Sequence, residues 1–173
     1  MTEDPIARVM DEMPYGLYIV GSHMGDEANG MMADWVMQVS FKPRLVGLAL
    51  ENDARTLRNI REHGEFTLNA LSQDRESMEL AAKFAQPYYG SKVGGRTRTA
   101  SEEVHHKLAE IGHRKTSTGS PVLAAAMSWL ECRVEQFVPA GDHTLVIAEV
   151  TGGGVQGNAQ PLTSSFTGWN YSG

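Results

Sequence analysis

The chain has 173 residues, 41% hydrophobic and 21% charged, with a formal net charge of −6. That length can enclose a sizeable core in one domain, 1–173, and an acidic chain without a basic stripe disfavours a duplex nucleic-acid partner. No apolar run is long enough to span a bilayer, the acidic start Met1-Thr2-Glu3-Asp4 lacks a signal-peptide pattern, and the lone Cys132 suits a reducing compartment, so the expected location is cytoplasmic.

Asp4 reads as a helix cap with Pro5 at the first helical position, and Ile6, Val9, Met10 and Met13 recur at helical spacing until Pro14. Tyr15 to Val20 is a short apolar run, read as a buried strand. Gly21 to Gly30 reads as a polar connection. Met31 to Ser40 reads as a second strand, with a bend, apolar enough to be buried and carrying one acid, Asp34. Pro43 interrupts it, and Leu45 to Leu50 forms a third strand. Asn52-Asp53 opens a helix that runs to His63, with Leu57 and Ile60 inward and Gly64 as its C-cap.

Phe66 to Leu71 alternates as a strand. Arg75 to Phe84 is an amphipathic helix, and Ala85 to Ala100 carries loop chemistry. Val104, Leu108 and Ile111 suggest one more short helix. Gly119 to Pro121 restarts the sheet. Trp129 to Phe137 alternates with Leu130, Cys132 and Val134 inward, and His143 to Val150 completes a hairpin across Pro139-Ala140-Gly141-Asp142. Consecutive strands favour a mainly β, antiparallel barrel with peripheral helices over a βαβ sheet.

Several motifs invite chemistry. Gly152-Gly153-Gly154-Val155-Gln156-Gly157 fits G-x-G-x-x-G, but no helix comes after it at Asn158-Ala159-Gln160-Pro161, so it reads as a hairpin turn before a short last strand. His105-His106 and His113 have no HExxH, CxxC or carboxylate pair beside them and read as solvated, so no metal site is expected. Cys132 lies on the inward side of its strand and reads as core. No G-x-S-x-G elbow is present. Lys92, Arg96 and Arg98 form either a solvated loop or a cationic arm for a phosphate. His143, after Gly141-Asp142, is either a half-exposed strand residue or a hydrogen-bond donor at a site mouth.

Taken together, five segments resemble the flavin reductase-like family. They are Tyr15-Gly16-Leu17-Tyr18-Ile19-Val20; Asn29-Gly30-Met31-Met32-Ala33-Asp34-Trp35-Val36 with Val39-Ser40-Phe41-Lys42-Pro43 after it; Gly64-Glu65-Phe66-Thr67-Leu68-Asn69-Ala70-Leu71; Ala82-Lys83-Phe84; and Gly141-Asp142-His143-Thr144-Leu145. The tail Thr167-Gly168-Trp169-Asn170-Tyr171 is similar to that of short members.

The resemblance implies an FMN-binding split barrel of Greek-key, antiparallel type. It implies a homodimeric NAD(P)H-dependent flavin reductase, with FMN, or alternatively FAD, as flavin and an oxygenase or redox protein as partner. Met31, Met32, Ala33, Asp34 and Trp35 would wrap the flavin phosphate through backbone amides, as an anion-binding nest does. Ser40 would lie near the ribityl chain. Asn52, Arg55 and Thr56 would add a helix end and a guanidinium to the phosphate side. Asn69 would face the site or the dimer contact, Lys83 and Phe84 belong to the same set, and His143 would lie near the nicotinamide.

Three positions depart from the family pattern: Met32 replaces a Thr, Asp34 replaces an Asn or Ser, and Arg44 replaces a Pro. The acid would turn away toward a cation such as Arg55, be protonated, or mark a different ligand. Two other functions share the fold. One is an FMN-bound electron carrier without its own nicotinamide site; the other is a barrel holding haem or another cofactor.

Overall fold

A computed structural model describes residues 4–85 and 106–169. The loop cations Lys92, Arg96 and Arg98, together with Val104, His105 and Asn170-Tyr171, lie outside the described residues. Helix α1 (Pro5–Asp11) starts as expected, with the Asp4 carboxylate accepting from the Ile6 N–H at 2.9 Å. Its apolar stripe is not buried within the chain: Ile6 is 73% and Val9 64% exposed.

Strands β1 (Tyr18–Met24) and β2 (Glu27–Ala33) form a hairpin through a turn at Gly25, where φ is +56°. The expected polar connection at Gly21 to Gly30 is therefore strand. Gly30 sits there because a Cβ would overlap the Phe84 ring packed against β2. The expected single strand from Met31 to Ser40 is two strands, β2 and β3 (Val36–Ser40), joined through Asp34-Trp35. Nor is β3 buried: Met37 is 65% exposed.

Strand β4 (Leu45–Glu51) leads into α2 (Arg55–His63), whose Leu57 and Ile60 face the core as expected, with Gly64 closing it at φ +71°. The N-cap is Ala54, with no side-chain capping bond, rather than Asn52 or Asp53. Strand β5 (Glu65–Ala70) and helix α3 (Arg75–Phe84) keep closely to the expected boundaries. A turn at 107–110, rather than a helix, carries buried Leu108. Strands β6 (His113–Lys115) and β7 (Pro121–Leu123) pair separately.

Strands β8 (Ser128–Ala140) and β9 (His143–Val155) form a long hairpin, and α4 (Ser164–Thr167) ends the fold. Gly152-Gly153-Gly154 is not a turn; it lies in β9, opposite Glu131, Leu130 and Trp129. A Cβ at Gly154 would stand 2.8 Å from the Trp129 indole nitrogen, so the strand approaches β8 only without side chains.

The described strands make an antiparallel sheet in the order β2-β1-β5-β8-β9-β4-β3. Its two edges, β2 and β3, are consecutive in the chain. Ala33 and Val36 can be no more than about 11 Å apart, so the sheet must curl until its edges meet at Asp34-Trp35. Among the described residues no β2–β3 ladder closes the seam. The architecture is thus mainly β, an antiparallel sheet rolled into a split barrel.

Val20, Leu48, Leu57, Ile60, Phe66, Cys132 and Val146 fill the interior of this roll. Each large side chain so buried contributes about 2–3 kcal/mol. A second core of Ile19, Leu71, Ala81, Phe84, Leu123 and Leu162 seats α3 on the outer face.

Candidate functional site

The split puts one bend of chain where both sheet edges converge. There the Val36 N–H donates to the Asp34 carbonyl at 2.9 Å, and the Trp35 carbonyl accepts from the Ala49 N–H of β4 at 3.0 Å. These bonds fix the bend and turn the Trp35 ring onto His143, with centroids 4.7 Å apart and planes tilted by 39°. The His143 Nδ1 lies 2.6 Å from the Asp142 carboxylate. Asp34 is buried beside them. Burial pushes its carboxyl from 3.8 up to about 6, against smaller downward pulls from its own N–H, the Trp35 N–H and His143.

A second feature stands near the other end of β2. Thr56 is buried, and its hydroxyl accepts from the Asn29 amide at 3.1 Å, tying the start of α2 to β2. Arg55 Nη2 meets Glu27 Oε1 at 2.7 Å. Buried Lys107 donates to the Phe84 carbonyl at 3.2 Å, at the end of α3. Burial first and the positive charge of Arg55 second lower the Lys107 ammonium to about 8. Two cations within electrostatic reach, Arg55 already paired with Glu27, stand beside the uncapped start of α2, where a helix end favours an anion.

Asn29 and Asp34 lie roughly 15 Å apart along the extended strand. Among the described residues strand β2 pairs only with β1, which leaves alternate backbone groups on its outer edge without a described ladder partner. The donor set fits an elongated ligand with an anionic end at Arg55 and Lys107 and a planar end toward Trp35 and His143.

The expected residues divide accordingly. Met31 packs on the inner core and Met32 on the outer one, as alternation along a strand requires. Ala33 is buried. Asp34 does not pair with Arg55, which reaches Glu27 instead. Ser40 ends β3, roughly 15 Å along the strand from Trp35, and stands outside the cluster.

Asn69 does not face the surface. It is fully buried, accepts from the Leu123 N–H at 2.8 Å and donates to the Ile19 carbonyl at 3.1 Å, so its amide staples β1, β5 and β7 together. Phe84 is buried beneath Gly30 and supports β2 from behind, while Lys83 is half-buried on α3. Asn52 directs its polar groups to the Gly141–Thr144 turn rather than to the α2 start. The structure places Lys107 and Glu27 beside Arg55; a lysine in a polar run and an acid just after a turn carry no distinguishing sequence signal.

Among the described residues no three His, Cys, Asp or Glu side chains group as a metal site. Cys132 is buried core, and its thiol is pushed up to about 12 by burial first and by Glu131 second. No described helix is long and apolar enough to cross a membrane.

The family profile of the flavin reductase like domain matches residues 10–169. The chain is 33% identical over 153 residues to the flavin reductase (NADH) of Kitasatospora aureofaciens, covering 87% of this chain and 71% of that protein. It is 29% identical over 165 residues to diflavin flavoprotein A 1 of Synechocystis, covering 94% of this chain but only 26% of that longer protein. The flavin reductase PheA2 in its native state superposes with a TM-score of 0.71 at 26% identity, over 94% of this chain and 93% of that one. The split barrel and these matches define a flavin reductase-type β protein. The chain belongs to the flavin reductase-like family.

Proposed function

We propose that the protein is an NAD(P)H-dependent flavin reductase that binds FMN along β2. One observation carries this reading: a single edge strand links the Arg55–Lys107 cationic end to the Trp35–His143 end. A bound flavin would supply the hydride-accepting chemistry, taking hydride from the nicotinamide C4. The chain's own residues bind and orient. Arg55, Lys107 and the amides opening α2 would hold the phosphate, edge amides of β2 from Met31 onward would serve the ribityl chain, and Trp35 and His143 would frame the ring end. In this placement Asp34 stands away from the phosphate, and the carboxylate the phosphate would meet is Glu27, which it would have to displace from Arg55.

The partner reading is a homodimer that passes reduced flavin to an oxygenase or redox protein. The exposed apolar residues of α1 and of β3, with Phe41 87% exposed beyond it, are the surfaces a second copy would cover. Light scattering on the purified protein tests the dimer.

Adding FMN and titrating its fluorescence tests the cofactor, and NADH oxidation with free FMN tests the activity. FMN quenched with micromolar affinity, together with NADH turnover, is the expected result; a protein that leaves FMN fluorescence unchanged overturns the reading. The match to a diflavin flavoprotein favours one alternative, a flavin-bound electron carrier. Fast reduction of the bound flavin by NADH in stopped flow excludes the carrier, and slow reduction by NADH with fast reduction by a redox protein supports it.

A further inference from the structure

We propose that Asn52 is the positioning residue of His143 and thereby sets how the nicotinamide co-substrate is held. The inference rests on the reading of His143 as a nicotinamide-facing residue. Asn52 lies in the corner between β4 and α2. Its backbone N–H donates to the Asp142 carbonyl at 3.0 Å. Its side-chain Nδ2 donates to the Gly141 carbonyl at 3.1 Å, which fixes the amide orientation, because a carbonyl can only accept. Its Oδ1 accepts from the Thr144 hydroxyl at 2.7 Å. One residue thus grips the turn on both sides of His143.

The grip is itself braced. Arg61 Nη2 donates to the Thr144 hydroxyl at 3.2 Å, and the Arg61 guanidinium lies 4.5 Å over the Phe137 ring. Hairpin tips open with little free energy when nothing ties them down. Here Gly141 stands at φ +67° and His143 is the first residue of β9, paired with Glu51 and Ala140, so a loosened tip would shift Asp142 and the His143 ring against Trp35. Asparagine suits this corner because one planar amide both donates and accepts. Aspartate loses the donor, and serine is too short to serve both partners.

The test uses the full chain carrying Asn52→Ala, Thr144→Val, Thr144→Ser, His143→Ala, and the Asn52→Ala/His143→Ala pair. The readouts are KM for NADH, kcat, FMN affinity by fluorescence, and, in the protein without flavin, the NMR shifts of the His143 ring protons under the Trp35 ring current. Losing the two side-chain bonds should raise KM for NADH about fivefold and move the His143 shifts toward those of free histidine, with FMN affinity changed less than about twofold. Thr144→Val should shift KM in the same direction by about twofold, and Thr144→Ser should match the parent.

In the His143→Ala background the Asn52 change should add almost nothing, the signature of a residue acting through another. An Asn52→Ala enzyme with parental KM or parental His143 shifts overturns the proposal, as does an undiminished Asn52 effect in the double variant. A His143→Ala enzyme with parental KM overturns the underlying reading of His143, and the proposal with it.

Discussion

Replacing Asp34 with Asn keeps an oxygen to accept the local N–H groups and removes only the charge. In the folded chain the carboxyl is raised from 3.8 to about 6, chiefly by burial. The folded state therefore holds a proton that the unfolded state releases first, and stability falls as pH rises between those values. The gap corresponds to about 3 kcal/mol, which partial hydration of the carboxyl trims to about 2 kcal/mol. The Asn variant lacks this titration. It should match the parent near pH 4 and exceed it by about 2 kcal/mol at pH 7.5 in urea unfolding. Because Asp34 lies roughly 15 Å along β2 from Asn29, the residue bonded to Thr56 at the start of α2, more than a Debye length, FMN affinity at pH 7.5 should change less than about twofold. Equal stabilities at pH 4 and pH 7.5 would show a hydrated carboxyl. A tightening of FMN by tenfold would place the phosphate at Asp34 and refute the assignment of the cationic end.

The geometry leads to four more expected outcomes. Arg55→Ala or Lys107→Met should each weaken FMN by about tenfold or more while leaving riboflavin, which lacks the phosphate, little changed in parallel fluorescence titrations. Asn69→Ala strands the Leu123 N–H and the Ile19 carbonyl in the core and should cost about 3 kcal/mol in urea unfolding. Native Cys132 should resist a thiol reagent such as DTNB at pH 8 and react at once in 6 M urea, since its thiol is buried and pushed up to about 12. Met37→Asp should lower the mass seen by light scattering from dimer to monomer, since Met37 is 65% exposed on the edge strand β3.

Alternation and cap chemistry made most elements legible: α3 begins at Arg75 after Asp74, and Leu57 and Ile60 of α2 face inward, because these signals are local. The failures have a shared cause. Glycine reads as a turn by composition, yet Gly30 and the run Gly152 to Gly154 are strand, because the structural reason for each glycine lies on another element, in the Phe84 ring for Gly30 and in Glu131, Leu130 and Trp129 of β8 for the run. In the same way Asn52 resembles a helix cap from its neighbours, while its partners, Gly141 and Thr144, lie far along the chain. Local pattern finds elements; long-range contacts assign side chains their tasks.

At Asp34 the local pattern and the long-range contacts meet. By sequence alone it is an acid inside a phosphate cradle, which is electrostatically awkward. The sheet order removes the difficulty, because β2 and β3 are its two edges and Asp34-Trp35 must be the point where they meet. A residue at that junction is buried by the curl of the sheet, so its carboxyl is raised whether or not a ligand is present. The cations that suit a phosphate come from α2 and from the turn at 107–110, which reach β2 near its other end. On the proposed reading the family motif would mark a rail with two chemically different ends, and Asp34 lies at the end where Trp35 and His143 stand.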